Sequence, residues 1–195
     1  MTVIHFVRHG QVHNPAQLLY GRLPRFPLSA TGRVQAEAAA RVLQARPLAA
    51  VFSSPRLRAV QTARIIAGQH PDLRVRISRL LDETHTPHEG RPLAELEASG
   101  WDMFTDIPPH YEQPEDIFNR AQRFIRRVRR RFPQGEVVAV THGELLLWMH
   151  LWVRGLPFTL ETQFLINPFP ETASITTLTF TDGVEVPTLT YCRPY

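Results

Sequence analysis

Two histidines stand in matching contexts, Val7-Arg8-His9-Gly10 and Val140-Thr141-His142-Gly143. Each closes a short strand-like run, and each precedes a glycine that lets the backbone turn and approach a ligand closely. Imidazole changes charge near neutral pH, so two of them in one pocket suit nucleophilic or proton-transfer work. Taken singly, either histidine fits a core position equally well; the paired context is what favours a site. A third run, Ser53-Ser54-Pro55-Arg56-Leu57-Arg58, brings two arginines to the start of a helix, and Arg8 adds a third beside His9. Guanidinium forks and helix N-termini both suit phosphate recognition. A metal centre is not expected. None of the nine histidines lies in an HExxH pattern, and one cysteine excludes a Cys-rich site.

The elements that must position these groups can be read from patterning. Thr2–Val7, Ala49–Ser53 and Glu136–Val140 are the buried-strand candidates, with a weaker one at Val75–Leu81. Ser29 is placed to cap a helix beginning near Ala30, with Val34, Ala38 and Val42 on one face. A second helix follows Pro55, with Leu57, Ala63 and Ile66 on its apolar side. Over 115–132, Ile117, Ala121, Phe124, Ile125, Val128 and Phe132 recur at helical spacing, and arginines fill the rest. Glu144–Val153 reads as helix, and 173–180 with 186–191 as a hairpin around Asp182-Gly183. Strands alternating with helices predict a three-layer α/β/α sandwich with a mostly parallel central sheet. Ligands of such sheets bind beyond the carboxyl ends of the strands, where both histidines would lie. One domain spans 1–195, with a Pro-rich excursion at about 84–114 that includes a short helix at Leu93–Ala98.

All 22 basic residues are arginine. Seven of them fall within 120–131, which holds no acid, so the remaining chain carries 15 basic against 18 acidic residues. The positive balance is therefore local, and the ordinary reading of that helix is a solvated flank. Binding of nucleic acid through it is the alternative from another class, but no DNA-reading motif accompanies it. With no lysine, any phosphate anchor must be arginine, histidine or backbone. No run approaches 18 apolar residues, so no membrane span is expected. The lone Cys192 cannot form an internal disulfide, and no basic leader precedes the first strand, so a cytoplasmic setting is expected.

Further motifs make a resemblance specific. Val7-Arg8-His9-Gly10-Gln11, then Gly21, Pro27-Leu28-Ser29, Gly32 and Gln35-Ala36 resemble the opening of the histidine phosphatase superfamily, the phosphoglycerate mutase-like proteins. Ser53-Ser54-Pro55 with Arg58-Ala59 and Gln61-Thr62-Ala63 resembles the second block. Leu81, Glu83 and Glu89-Gly90 resemble the third, and Val140-Thr141-His142-Gly143 the fourth. The resemblance implies that His9 is a nucleophile forming a phosphohistidine. It implies that Arg8, Arg58 and His142 hold the phosphoryl oxygens, and that Glu83 protonates the leaving alkoxide and then activates water. Glu89 competes for the acid role, which wants a carboxyl pKa raised towards neutrality. Arg58 is preferred to Arg56 because it precedes Ala59-x-Gln61-Thr62-Ala63. Val12 replaces the family's usual threonine, which gives Asn14 more of the polar duty at phosphate.

The activity implied is metal-independent hydrolysis of a phosphomonoester, with no cofactor, on a small phosphorylated metabolite. A phosphoglycerate mutase-type transfer is the nearest alternative, although mutases of this kind are generally longer. Gln11, Gly21, Arg22, His85, His88 and Glu89 are candidate substrate contacts, and Arg25, His110 and Tyr111 join them as surface candidates. Trp101, Met103 and Phe104 are candidates for a lid, and Trp148 and Trp152 for a homodimer contact.

Overall fold

The computed structural model describes residues 1–195. Six strands form one sheet in the order β3-β2-β4-β1-β5-β6. They are β1 (Thr2–Arg8), β2 (Leu48–Ser53), β3 (Val75–Ile77), β4 (Glu136–Thr141), β5 (Ile175–Phe180) and β6 (Thr188–Cys192). The first four run parallel, whereas β5 pairs antiparallel with both β1 and β6.

Residues of alternate parity along each strand feed opposite cores. Ile4, Phe6, Val137 and Ala139 pack against α4 (Pro114–Arg131) and α5 (Gly143–Val153). Val7, Val138 and Val140 pack against α1 (Ala30–Leu43) and α2 (Leu57–Ala67). Both faces of the central strands are therefore dry, as expected for parallel strands covered by helices on each side. The three-layer α/β/α architecture expected from patterning is what forms. Two short helices, α3 (Leu93–Ala98) and α6 (Leu160–Gln163), lie in the connections near the strand ends.

Three local expectations need correction. In α1, Val34 and Val42 are exposed although Ala38 is buried as expected, and the buried face is Gly32, Gln35, Ala36, Ala38, Ala39, Ala40 and Leu43. Small side chains let α1 lie close to its neighbours, so the interface follows size rather than hydropathy. Leu57, at the first turn of α2, is likewise exposed. The weak third strand ends at Ile77, and Arg79–Leu81 turns as a short 3-10 helix.

The loop after β1 is pressed onto α1 at two glycines. A Cβ on Gly10 would run into the Gly32 carbonyl, and one on Gly32 into the backbone of Gln11. Ser29 caps α1 by accepting from the Gly32 amide at 2.9 Å, which holds that helix start in place. Gly32→Ala is therefore expected to lower stability by about 2–3 kcal/mol, because neither backbone can retreat without breaking the cap. A urea midpoint unchanged from the parent would contradict that packing.

Candidate active site

Neighbouring strand ends bring the site together. In register, Arg8 lies beside Thr141, and Ser53 beside Val140. The His9 amide donates to the Thr141 carbonyl at 3.0 Å, and the Ser54 amide to that of Val140 at 2.9 Å. His9, His142 and Ser54 thus leave three adjacent strands at one edge, and the two imidazole rings lie 5.2 Å apart, centre to centre.

The hydrogen bonds fix a tautomer for each ring. His9 Nδ1 is 2.8 Å from the Gly10 carbonyl, which can only accept, so Nδ1 carries the proton. Nε2 is then the lone-pair atom, and Arg58 Nε donates to it at 3.1 Å. Burial, reinforced by Arg58, His142 and Arg8, holds the His9 pKa well below the usual histidine value. The ring is a free base at neutral pH. His142 Nδ1 lies 3.1 Å from the Glu83 carboxylate and 3.3 Å from Arg58 Nη2. A single hydrogen cannot serve both directions, and the carboxylate, an acceptor only, takes it. Nε2 of His142 then accepts from Ser54 Oγ at 2.7 Å.

Arg58 is the hub of the site. It is 1% exposed, and its Nη2 donates to the Gly21 carbonyl at 2.8 Å and to Glu83 at 3.1 Å. The Tyr20 ring lies 4.5 Å from its guanidinium carbon. Thr62 fastens the helix end that carries it, accepting from the Gly10 amide and donating to the Arg58 carbonyl. Arg8 gives one nitrogen to the Pro170 carbonyl at 2.7 Å, while its buried Nε has no partner in the protein. An unused guanidinium donor beside two histidines, at the N-terminus of α5, is a place made for an anion.

His9, Glu83 and His142 also offer ligand atoms within 4.8 Å of one another. Arg58 donates to His9 and to Glu83 and brings Nη2 to 3.3 Å from His142 Nδ1, so a guanidinium already stands where a cation would bind.

Glu83 is the carboxyl that meets this cluster. Glu89 instead accepts from the backbone amide of Arg22, outside the cavity wall. The expectation of a raised acid pKa is not met at Glu83 in the ligand-free site. Burial alone would raise it, but His142 and Arg58 outweigh burial and hold it well below the ordinary glutamate value. The raised carboxyl is Glu144, in the first turn of α5. Burial and the charge of Glu83 push it to about 7 against the pull of Arg8.

Other expected contacts fall elsewhere. Asn14 spends its amide on the Leu18 backbone, donating at 2.8 Å and accepting at 3.2 Å. Gln11 accepts from Ser29 Oγ, His88 pairs with Arg91, and His85 stacks on Tyr111 with ring centres 4.7 Å apart. None of these residues lines the cavity above His9, and neither do Arg22, Arg25, His110 and Glu89; of the six substrate candidates only Gly21 does. Trp101 and Met103 do line it, while Phe104 packs edge-on against Trp148.

A clasp behind Glu83 escaped the sequence reading. Arg56 holds both oxygens of Asp82 at 2.7 Å. The Glu83 carbonyl accepts from Arg22 at 2.8 Å and from Arg120 at 3.2 Å, and both arginines pair with Glu112. Arg120 is buried, so one of the seven arginines in the basic helix is not a solvated flank. Arg120→Ala is expected to cost about 2 kcal/mol, because it removes one of the two guanidinium partners of Glu112 and leaves the Leu80 carbonyl without its side-chain donor, while Arg22 still holds the Glu83 carbonyl. Exposed Arg123→Ala should stay within about 0.5 kcal/mol of the parent. Equal thermal midpoints for the two variants would refute the distinction.

Comparisons with known proteins agree with this geometry. Residues 4–191 match the model of the histidine phosphatase superfamily (branch 1). The Mycobacterium tuberculosis protein Rv0525 is 40% identical over 162 residues, 79% of each chain. Among solved structures, Bacillus stearothermophilus YhfR superposes with a TM-score of 0.81 at 24% identity, over 94% of both chains. The mycobacterial glucosyl-3-phosphoglycerate phosphatase Rv2419c superposes at 0.74 and 28% identity, over 90% of this chain and 89% of the other. With its two histidines, two arginines and one glutamate gathered at the strand ends, the chain belongs to the histidine phosphatase superfamily.

Proposed function

We propose that the protein hydrolyses phosphate monoesters of a small metabolite without a metal, through a phosphohistidine on Nε2 of His9. The carrying observation is that lone pair, held unprotonated and aimed by Arg58 at 3.1 Å. Arg8 and Arg58 receive the phosphoryl oxygens with His142. The His9 lone pair forms the N–P bond as the P–O bond to the alcohol breaks, and Glu83 gives its proton to the departing oxygen. Water then loses a proton to Glu83 and attacks phosphorus, and the N–P bond pair returns to His9. Glu83 acquires its proton once phosphate is bound. The anion adds negative charge beside it and draws away the donors of Arg58, both of which raise a carboxyl pKa. A cytoplasmic setting belongs to the same reading, supported by the unpaired Cys192 and by the lack of any helix long and apolar enough to cross a membrane.

The test is turnover of p-nitrophenyl phosphate in excess chelator, with alkaline quenching to trap phosphoenzyme from labelled substrate. Activity should persist and label should appear on His9. Activity lost to chelator and restored by a divalent ion would overturn the metal-free mechanism. Bisphosphoglycerate-dependent isomerisation of a phosphoglycerate in place of hydrolysis would make the protein a mutase.

Titration of Glu144 gives a pH dependence with a definite sign. Below about 7 its carboxyl is neutral, and above it a second negative charge joins Glu83 in the cavity, offset only in part by Arg8. KM for an anionic monoester is expected to rise roughly threefold to tenfold between about pH 6 and 8. Glu144→Gln should flatten that rise, since the substrate's own ionisation is common to both proteins. Parallel profiles would remove Glu144 from substrate binding.

A further inference from the structure

The cavity above His9 has a volume of about 610 Å³, ample for a small organic molecule, and its wall is sharply divided. At the floor lie Arg8, His9 and Glu83. Beyond them half of the 20 lining residues are hydrophobic, contributed by Leu93 of α3 and by four further segments. Leu18 and Tyr20 come from the loop after β1, Met103 from the segment after α3, Leu147 from α5, and Ile166 from the segment after α6. Trp101, Phe164 and Phe169 also line it and remain 38%, 57% and 39% exposed. Three large aromatic surfaces left open to water at a catalytic cavity are costly unless something apolar covers them.

The charges are equally one-sided. Arg8 is the one guanidinium in the wall, and its free Nε belongs to the phosphate floor. Arg58, behind the wall on His9 and Glu83, belongs to the same phosphate floor, and Arg22, Arg56 and Arg120 are each paired with Glu112 or Asp82. The acidic wall groups are the carboxyls of Glu83 and Glu144, and Glu144 Oε2 is buried without a hydrogen-bond partner. A second phosphate or carboxylate on the substrate would meet no cation there. It would lie instead against two acids and an apolar surface.

We infer that the alcohol half of the substrate is a bulky apolar group carrying no second anion, and that Glu144 helps to exclude substrates that do carry one. This deepens the phosphatase reading by naming the class of monoester, and it sets the chain apart from enzymes acting on bisphosphates or phosphoglycerates. The remaining polar wall groups, among them Thr84, Thr86 and Asn167, accommodate neutral hydroxyl or amide functions without calling for charge.

Binding of non-hydrolysable phosphonates tests the inference independently of turnover. Methylphosphonate, hexylphosphonate and 6-phosphonohexanoate share one anionic head and differ only in the tail. Titration calorimetry at pH 8 is expected to show hexylphosphonate binding at least about 30-fold more tightly than methylphosphonate, since each methylene leaving water is worth roughly fourfold. The carboxylated tail should lose at least about tenfold of that gain. Glu144→Gln should narrow the ratio between the hexyl and carboxylated ligands, whereas a variant at an exposed site outside the cavity, Arg123→Ala, should keep it. Equal or tighter binding of 6-phosphonohexanoate would overturn the inference, as would a hexyl affinity no better than the methyl one. Loss of His9-dependent hydrolysis with the binding ratios intact would sink the phosphatase reading instead.

Discussion

Replacing His9 with alanine is expected to lower kcat/KM for phosphomonoester hydrolysis by at least about 10⁴-fold, a barrier increase of about 5.5 kcal/mol. The size follows from what the variant removes. Nε2 of His9 is a buried lone-pair nitrogen at neutral pH, and the Gly10 carbonyl holds the proton on Nδ1. His142 cannot substitute, because it lies behind the cavity wall that His9 lines, with Nε2 turned to Ser54 Oγ at 2.7 Å and the Nδ1 hydrogen on Glu83. Direct attack by water would keep the arginine binding but lose the covalent route, which leaves a residual rate rather than none. The fold should survive, since the strand-end hydrogen bond from His9 uses its backbone amide. The check is turnover together with the circular dichroism spectrum and the labelled-enzyme assay. A folded variant within tenfold of the parent, or one still labelled, would show that His9 is not the nucleophile.

What could be read without coordinates was the frame of the site. His9 and His142 each end a short, β-rich, buried-type run, and a parallel sheet places such ends on one edge. The helix start beside a third strand points to Arg56 and Arg58 alike, and the choice of Arg58 rests on the family-like Ala59-x-Gln61-Thr62-Ala63 that follows it. The supports of that frame were illegible for a physical reason. Arg56 with Asp82, and Arg120 and Arg22 with Glu112, are contacts between loops and a helix far apart in the chain. Charge spacing along one element carries no signal for them. The same limit explains Glu144, whose displacement comes from burial and from Glu83, a residue on another segment. Polar residues in the Pro-rich loops looked like substrate contacts by type alone. In the folded chain Arg22, His85 and Glu89 tie those loops together, Asn14 and His88 bond within their own turns, and half of the cavity lining is apolar. Val34 and Val42 mislead in the opposite direction, because α1 is held by its alanines and Gly32.

Arg58→Lys keeps the charge and is nonetheless expected to reduce kcat/KM by about 10²- to 10³-fold, or about 2.7–4 kcal/mol. The guanidinium acts through geometry at both ends of its fork. Nε meets His9 Nε2, while Nη2 reaches the Gly21 carbonyl, Glu83 and the His142 ring at 2.8, 3.1 and 3.3 Å. One ammonium cannot stand at Nε and at Nη2 together, so a lysine satisfies either the nucleophile end or the acid end. Stacking of the flat cation on Tyr20 is lost as well. The deficit should fall mainly on kcat, because the fork orients the nucleophile and the proton donor relative to each other as well as holding phosphate. Arg56→Lys is the informative control. It breaks the two-pronged contact with Asp82 behind the site, so its larger effect should be on thermal stability, with a smaller loss of turnover. If Arg58→Lys stayed within threefold of the parent while Arg56→Lys lost more activity, the roles of the two arginines would be reversed. Phosphate recognition would then rest on charge alone, and a chain without lysine would have no chemical reason for that choice.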